Sequence, residues 1–254
     1  MDYRRIIPCL DTKNGRLVKG VNFVNLKELG DPAEAGAAYS EAGADELVLL
    51  DITATLEGRR TLLDAVRRTV QRIRIPLTVG GGIQSVADVQ ALLDLGVSKV
   101  SMNTAAVRNP ALVEEAAEKF GGEKVVVAID TRASDGVASG FEVVVRGGTE
   151  ATGLDAVEWA RKVVDLGAGA ILPTSMDADG MQTGYDIPMT RAIADAVRVP
   201  VIASGGAGTL EHLYEAIADG HADAVLVASI AHYGTFTIRE MKEYLAGRGI
   251  PVRL

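Results

Sequence analysis

The stretch LTVGGG at residues 77–82 passes from an apolar run directly into three glycines. The stretch VIASGGAG at residues 201–208 repeats this arrangement 124 residues further on, and a proline precedes each stretch. Glycines that follow a buried strand allow backbone N–H groups to approach an anion closely. Each stretch therefore predicts a strand that ends in an anion-binding turn, although a single glycine cluster also fits a tight turn without a ligand.

Similar apolar runs recur along the whole chain and alternate with amphipathic segments. They are rich in Val, Ile and Leu and show little polar alternation, which is typical of parallel strands covered on both faces. Strands are predicted at residues 5–10, 46–51, 77–80, 99–103, 125–130, 170–174, 201–204 and 224–228. Helices are predicted at residues 33–42, 62–72, 86–95, 110–119, 156–166, 189–197 and 210–219. This order predicts an α/β fold, a single (β/α)8 barrel over residues 1–254, and disfavours an open doubly wound sheet.

The chain also repeats itself, which divides the predicted barrel into half-barrels at about residues 1–122 and 123–254. Gly43 matches Gly167 at the same offset of 124 residues, and Asp11 matches Asp130 at an offset of 119. Chance similarity between βα units is the alternative, but the shared offset argues against it. Glycines before the next strand are expected to end helices in the left-handed conformation, at Gly43, Gly96, Gly167 and Gly220.

The composition narrows the class of protein. The chain has 254 residues, 48% hydrophobic residues and a net charge of −8, without a block of like charges, so no nucleic-acid or membrane surface is predicted. No apolar stretch reaches transmembrane length, and the N-terminal segment lacks the apolar core of a signal peptide. The only cysteine, Cys9, lies in an apolar run and is predicted to be a small core residue. A cytoplasmic location is expected.

Chemistry in such a barrel is expected at the carboxyl ends of the strands, where polar residues collect. Asn103 and Thr104 after strand four would complete one anion-binding cup with Gly80–Gly82. Ala228 and Ser229 after strand eight would complete a second cup with 204–208, which contains Ser204 and Gly206. Two opposed cups predict a long substrate with phosphate at both ends. Thr174 is a further polar strand-end residue.

Asp11 and Asp130 are predicted to face each other between the cups. Two carboxylates can divide general-acid and general-base roles if their surroundings separate their pKa values. A structural turn-capping role is the alternative for each, but the symmetric pair favours catalysis. The loop at 11–32, which contains Lys19, is long enough to be a lid.

Metal binding is not predicted. Asp177 and Asp179 resemble part of a cation loop, but the remaining ligands are missing, so a turn or contacts to ligand hydroxyls are favoured. The three histidines, His212, His221 and His232, are predicted on a helix surface or in loops.

Taken together, these motifs resemble the cyclase subunits of imidazole glycerol phosphate synthase, an enzyme of histidine biosynthesis. The likeness covers the whole chain without a large gap. It is carried by RIIPCLD (5–11), GRLVKG (15–20), GDP (30–32), DEL (45–47), LDITA (50–54), TVGGGI (78–83), NTAAV (103–107), VVAID (126–130), GYD (184–186) and ASGGAG (203–208).

The resemblance implies a reaction in which ammonia attacks the bisphosphorylated intermediate PRFAR and the imidazole ring closes, giving imidazole glycerol phosphate and AICAR. It implies no cofactor, and a glutaminase partner that forms a heterodimer at the amino-terminal face of the barrel. Asp11 and Asp130 would be the acid/base pair, and Lys19 would lie on the active-site loop. One phosphate would be bound by Gly82, Asn103 and Thr104, and the other by Asp179, Gly180, Gly206, Ala228 and Ser229. Arg5, Glu46 and Lys99 would belong to a ring of charges through which ammonia enters.

Five positions depart from that family pattern. Ala170 replaces a Glu of the charged ring, and Ser98 replaces an Asp of the glutaminase interface. Pro173 replaces Leu and should weaken strand six locally, because proline lacks the ladder N–H. Met181 replaces Thr, and Ala231 replaces a larger apolar residue. The first two changes affect ammonia delivery and partner docking more than cyclase chemistry.

Three other functions remain open from the sequence. The first is the sugar isomerase of the preceding histidine step, which shares the paired aspartates and the phosphate cups. The second is a barrel that binds a phosphorylated metabolite or a partner without catalysis. The third is a relative that aminates a nucleotide-linked sugar.

Overall fold

The computed structural model describes residues 3–21, 24–54, 57 and 63–254, with the backbone alone at 19–21 and 24–26. Its strands are β1 (Arg5–Lys13), β2 (Arg16–Val21), β3 (Val24–Gly30), β4 (Leu47–Asp51), β5 (Leu77–Gly80), β6 (Lys99–Met102), β7 (Val125–Ala133), β8 (Phe141–Val145), β9 (Glu150–Asp155), β10 (Ala170–Ser175), β11 (Ile202–Ala203) and β12 (Ala224–Val227). Its helices are α1 (Pro32–Glu41), α2 (Leu63–Val70), α3 (Val86–Asp94), α4 (Thr104–Arg108), α5 (Ala111–Phe120), α6 (Ala156–Asp165), α7 (Ile187–Ala194), α8 (Leu210–Ala218), α9 (Ser229–His232) and α10 (Ile238–Gly247).

Eight of these strands form a closed parallel barrel. They pair in the order β1, β4, β5, β6, β7, β10, β11 and β12, and β12 pairs again with β1. All eight correspond to predicted strands, so the predicted (β/α)8 barrel is confirmed.

The junction between β10 and β11 is thin. Two isolated bridges join them, Ile171 to Val201 and Thr174 to Ser204. The bridges lie on either side of Pro173, which has no N–H to donate to a ladder. We call this junction the β10–β11 seam. On its other edge β10 pairs with β7 along all of its length, from Ala170 to Ser175.

Two antiparallel hairpins extend the barrel at its mouth. The strands β2 and β3 follow β1, and β8 and β9 follow β7, so each hairpin comes after the strand that carries one of the paired aspartates. The predicted long loop at 11–32 is therefore largely a hairpin. The two predicted halves of the barrel therefore share this addition.

All seven predicted helices are present, and the short α4 and α9 and the terminal α10 were not predicted. Gly43, Gly96 and Gly167 are left-handed as predicted, with φ of 86°, 94° and 99°. The prediction for Gly220 was wrong, because the following residue, His221, takes the left-handed conformation with φ of 58°. Its Nδ1 lies 2.6 Å from Asp195 Oδ1, which holds it there, and glycine at 220 instead allows close approach to Ala216.

Apolar side chains fill the barrel interior. The inner cluster consists of Ile7, Cys9, Val48, Val126, Ala170, Leu172, Ile202, Ala224 and Leu226. Larger clusters pack the helices against the outside of the strands, which fixes the strand ends and the loops that follow them. Within the described ranges, none of the helices combines the length and the apolar character that a membrane crossing requires.

Candidate functional site

Two cavities open side by side at the carboxyl ends of the barrel strands. The first is lined by Gly80–Gly82 and by residues 101–105, and the second by residues 204–207 with Ala228 and Ser229. The first cavity has a volume of about 110 Å³ and the second a volume of about 70 Å³. Leu50, Ala128 and Asp130 line both cavities, so the two form one elongated cleft across the barrel mouth.

The ends of the cleft have the same backbone conformation. Gly81 and Gly82 are left-handed, with φ of 89° and 76°, and Gly205 and Gly206 match them with 88° and 104°. The residues that precede α4 and α9 also match, with φ and ψ of −125° and −87° at Asn103 and −131° and −80° at Ala228. We call the turn 80–82 with Asn103 and Thr104 the first cup, and the turn 204–208 with Ala228 and Ser229 the second cup.

Close packing makes glycine necessary in both cups. A Cβ atom at Gly81 would lie 2.2 Å from the carbonyl oxygen of Asp51, and one at Gly206 would lie 1.9 Å from that of Gly184. Each turn is thus pressed against a neighbouring loop by its backbone. Glycine turns that follow barrel strands let main-chain N–H groups come close to a phosphate or carboxylate.

The structure brings together most of the predicted site residues. The first cavity is lined by Gly82, Asn103, Thr104 and Asp130. The second is lined by Asp11, Asp130, Thr174, Asp179, Gly180, Ser204, Gly206, Ala228 and Ser229. The backbone of Lys19 lies in β2, but its side chain is outside the described part of the chain. Arg5, Glu46 and Lys99 lie away from the cleft, at the amino-terminal ends of the strands.

Asp130 is a buried carboxyl group with an unusual pKa. Burial and, to a smaller extent, the negative charge of Asp179 raise its pKa to about 7, although a hydrogen bond from the side chain of Asn103 lowers it. Such a group exchanges protons readily near neutral pH, which suits a general acid or base.

Asp11 is the second buried carboxylate of the cleft. Cys9, two residues before it on β1, places its Sγ 3.3 Å from Asp11 Oδ1 and donates its S–H to the carboxylate. Cys9 is buried as predicted, but it also lines the second cavity, so its description as a core residue was incomplete.

His232 was predicted on a helix surface or in a loop, and it lies in α9 with its side chain partly exposed. Its ring also bridges two elements, which the sequence did not indicate. Its Nε2 lies 2.8 Å from the carbonyl oxygen of Cys9, and its Nδ1 lies 2.7 Å from the hydroxyl of Tyr39. This chain of contacts ties α9, and with it the second cup, to the strand that carries Asp11.

Loops distant in sequence supply lining residues that the motifs did not reveal. Gln182, left-handed with φ of 58°, lines the second cavity, and Gly147 of the β8–β9 turn lines the first. The backbone N–H of Arg146 donates to Thr104 Oγ1 at 3.1 Å, so this turn is fixed to the first cup. The consecutive residues Arg146, Gly147 and Gly148 predict a turn, but nothing in the sequence indicates where it packs.

Asp177 and Asp179, in the loop after β10, have different contacts. Asp177 Oδ2 accepts a hydrogen bond from the backbone N–H of Ala133 at 2.8 Å, which is the structural role that the sequence left open. Asp179 lines the second cavity. In the described part of the chain, no three His, Cys, Asp or Glu side chains are arranged to hold a metal ion.

The charged residues at the barrel floor form one cluster. Glu46 Oε2 lies 2.8 Å from Lys99 Nζ, and Glu46 Oε1 pairs with Arg5. Glu46 is buried, and the two cations are about three-quarters buried, with 24% and 23% of their side chains exposed. Ala170 belongs to the apolar cluster of the barrel interior.

Because the pKa of Asp130 in the folded protein, about 7, exceeds the 3.8 of an ordinary aspartate, the folded state keeps this proton while the unfolded chain loses it. The contribution of this proton to the free energy of unfolding is fully present below about pH 4 and is lost as the pH rises to about 7. We expect the free energy of unfolding to fall by about 2 kcal/mol more in the wild type than in Asp130→Asn between pH 5 and 7. Urea unfolding of both proteins at each pH measures this, and parallel curves would contradict the raised pKa.

The fold and the cleft define a class of protein. This is a (β/α)8-barrel enzyme whose candidate site lies where such barrels carry their chemistry, at the carboxyl ends of the strands. The model of the histidine biosynthesis protein family matches residues 5–237 of the chain. The chain belongs to this family, and it is therefore an enzyme of histidine biosynthesis.

Proposed function

We propose that this chain is the cyclase subunit of imidazole glycerol phosphate synthase. It uses ammonia to convert PRFAR to imidazole glycerol phosphate and AICAR. The observation that carries the proposal is the continuous cleft, in which two cups of matching backbone lie on either side of Asp11 and Asp130. A substrate with phosphate at both ends fits such a cleft with its reacting atoms next to the carboxylates.

The two aspartates take the acid and base roles. Addition of ammonia and ring closure require a proton to leave nitrogen and a proton to reach the departing group. Asp130, with a pKa of about 7, supports either transfer at neutral pH. The glycine turns of the cups, together with Thr104 and Ser229, bind the terminal phosphates by hydrogen bonds, and Asp179 and Gly180 form the outer wall of the second cup.

The cyclase and the isomerase share the paired aspartates and the phosphate cups, but other sequence motifs favour the cyclase. The run Cys9-Leu10-Asp11, the pair Lys19-Gly20 and the segment 103–106 match the cyclase pattern. The main competing function is the aldose–ketose isomerase of the same pathway, because the family match includes both enzymes. That reaction uses no ammonia, so the two candidates differ in a required reactant.

The deciding experiment supplies both substrates separately. Purified protein is incubated with PRFAR and ammonium chloride at alkaline pH, and with the aminoaldose of the preceding step, and products are identified by mass spectrometry. Imidazole glycerol phosphate and AICAR from the first mixture alone support the cyclase. Formation of the aminoketose from the second mixture alone would establish the isomerase. PRFAR that binds without turnover would favour a binding protein.

Ammonia delivery is a separate part of the proposal. A glutaminase partner would dock at the amino-terminal face, near Ser98, and ammonia would pass the cluster of Arg5, Glu46 and Lys99 into the barrel. Among the described residues, Glu46 pairs with both Arg5 and Lys99, and Ala170 stands where the family has a further Glu. We propose that partner-dependent delivery is impaired while the cleft keeps its chemistry.

External ammonium salts should therefore support turnover at a higher rate than glutamine does with a cognate glutaminase. The matched variant is Ala170→Glu, which restores the missing carboxylate. It should raise the glutamine-dependent rate several-fold and leave the ammonia-dependent rate nearly unchanged. Equal glutamine-dependent and ammonia-dependent rates in the unmodified protein would contradict the impairment.

A further inference from the structure

The repeat places the two aspartates in equivalent positions, yet they have different hydrogen-bond donors. Asp11 accepts from the thiol of Cys9, which lies two residues earlier on the same strand. Asp130 accepts from the side-chain amide of Asn103, which directly follows the neighbouring strand β6. The residue two positions before Asp130 is Ala128, which has no side-chain donor.

The register of the strands shows that these donors exchange positions between the halves. Met102 pairs with Val127, so Asn103 comes next to Ala128, two residues before Asp130. Val227 pairs with Pro8, so Ala228 comes next to Cys9, two residues before Asp11. In the first half the donor, Cys9, is on the strand of the aspartate and the alanine, Ala228, is on the neighbouring strand. In the second half the alanine, Ala128, is on the strand of the aspartate and the donor, Asn103, follows the neighbouring strand.

The backbone does not cause this difference. Asn103 and Ala228 have nearly the same φ and ψ, and Ala128 and Ala228 are both partly exposed at the cleft. In each half the alanine lies beside the donor on the neighbouring strand. The asymmetry therefore lies in the side chains.

We infer that Cys9 and Asn103 are positioning residues that make the two aspartates chemically different, so that one acts as acid and the other as base. This inference deepens the proposed function and rests on it for the reaction concerned. Cys9 fixes the orientation of Asp11 through a weak thiol donor. Asn103 stabilises the ionised form of Asp130 and is also part of the first cup. A phosphate bound in that cup would therefore influence the carboxyl group of Asp130 through the side chain of Asn103.

Several other charged groups lie near Asp130. Asp179 lies on the loop after β10, and Asp11 and Asp51 line the cleft opposite. Arg132 and Glu142, on β7 and β8, pair with each other at 3.2 Å. Among the described residues around the carboxyl group, Asn103 is the hydrogen-bond donor that favours its ionised form.

The first test needs no substrate. Aspartate carboxyl carbons are labelled with 13C and titrated by NMR in the ligand-free protein, with Asp130→Asn used to assign the signal. Asn103→Leu keeps the bulk but removes the donor, and it should raise the pKa of Asp130 by about one pH unit. Ala228→Leu is the matched control in the other half and should leave this titration in place. An unchanged titration in Asn103→Leu would overturn the role of Asn103.

The second test uses PRFAR and ammonium chloride. Cys9→Ala should lower kcat about tenfold with little change in KM, whereas Cys9→Ser keeps a donor and should recover most of the rate. Equal rates in Cys9→Ala and Cys9→Ser would overturn the role of Cys9. If the unmodified protein does not turn PRFAR over at all, the proposed function fails, and the NMR titration still decides the inference about Asn103.

Discussion

Asp130→Asn should lower ammonia-dependent turnover of PRFAR by at least about a thousandfold, and Asp11→Asn should have an effect of similar size. Each change removes a group that donates or accepts a proton in the transition state, and such groups contribute about 10²–10⁴ in rate. Asparagine keeps the shape of the side chain, so the cups and the barrel should be retained. Steady-state assays with PRFAR and ammonium chloride give kcat and KM for each variant.

Binding separates a chemical defect from a folding defect. Both variants should bind PRFAR within a few-fold of the unmodified affinity, measured by calorimetry, because the phosphates are held by the cups. Asp195→Asn is a suitable control, since Asp195 is an exposed partner of His221 far from the cleft in the fold. If either variant at the cleft kept more than a tenth of the rate, that aspartate would not be part of the acid/base pair.

Among the substitutions proposed here, Gly206→Ala should lower the free energy of unfolding most. It should also remove phosphate binding at the second cup. The new methyl group would meet the carbonyl oxygen of Gly184, and φ of 104° is unfavourable for alanine. We expect a loss of about 3–4 kcal/mol in the free energy of unfolding, from the forced displacement together with the strained backbone. Urea unfolding gives this loss, and calorimetry with PRFAR gives the affinity.

Gly43→Ala is the matched control for that change. Gly43 is also left-handed, with φ of 86°, but a Cβ atom there would have no neighbour within 4 Å. Backbone strain alone should cost about 1 kcal/mol. If both variants lost the same stability, close packing of the cup against the loop at Gly184 would not be the reason for glycine at 206.

The strands and the two glycine cups could be predicted from the sequence, because buried parallel strands have continuous apolar runs and left-handed turns require glycine. The offset between residues 77–82 and 201–208 also predicted that the cups are paired. The role of Cys9 could not be predicted, because a cysteine within RIIPCLD has the pattern of a core residue. Its contact with Asp11 depends on side-chain rotamers, which no spacing reveals.

Contacts between distant loops also could not be predicted from the sequence. Gln182 and Gly147 reach the cleft only because the loop after β10 and the β8–β9 turn fold over its two ends. The position of His232 depends on Tyr39, which is 193 residues away in the chain. The left-handed residue was predicted at Gly220 and lies at His221, whose ring contacts Asp195, and such a tertiary contact is not visible in the local sequence.

The β10–β11 seam links ligand binding to the stability of the barrel. Ser204 is both a bridging residue of the seam and a member of the second cup. Thr174, the bridging residue on the other side of the seam, also lines the second cavity, so a ligand held there would touch both strands that the seam joins. A ligand in the second cup would therefore stabilise this junction of the barrel, whereas the first cup lies on the continuous ladder from β4 to β7.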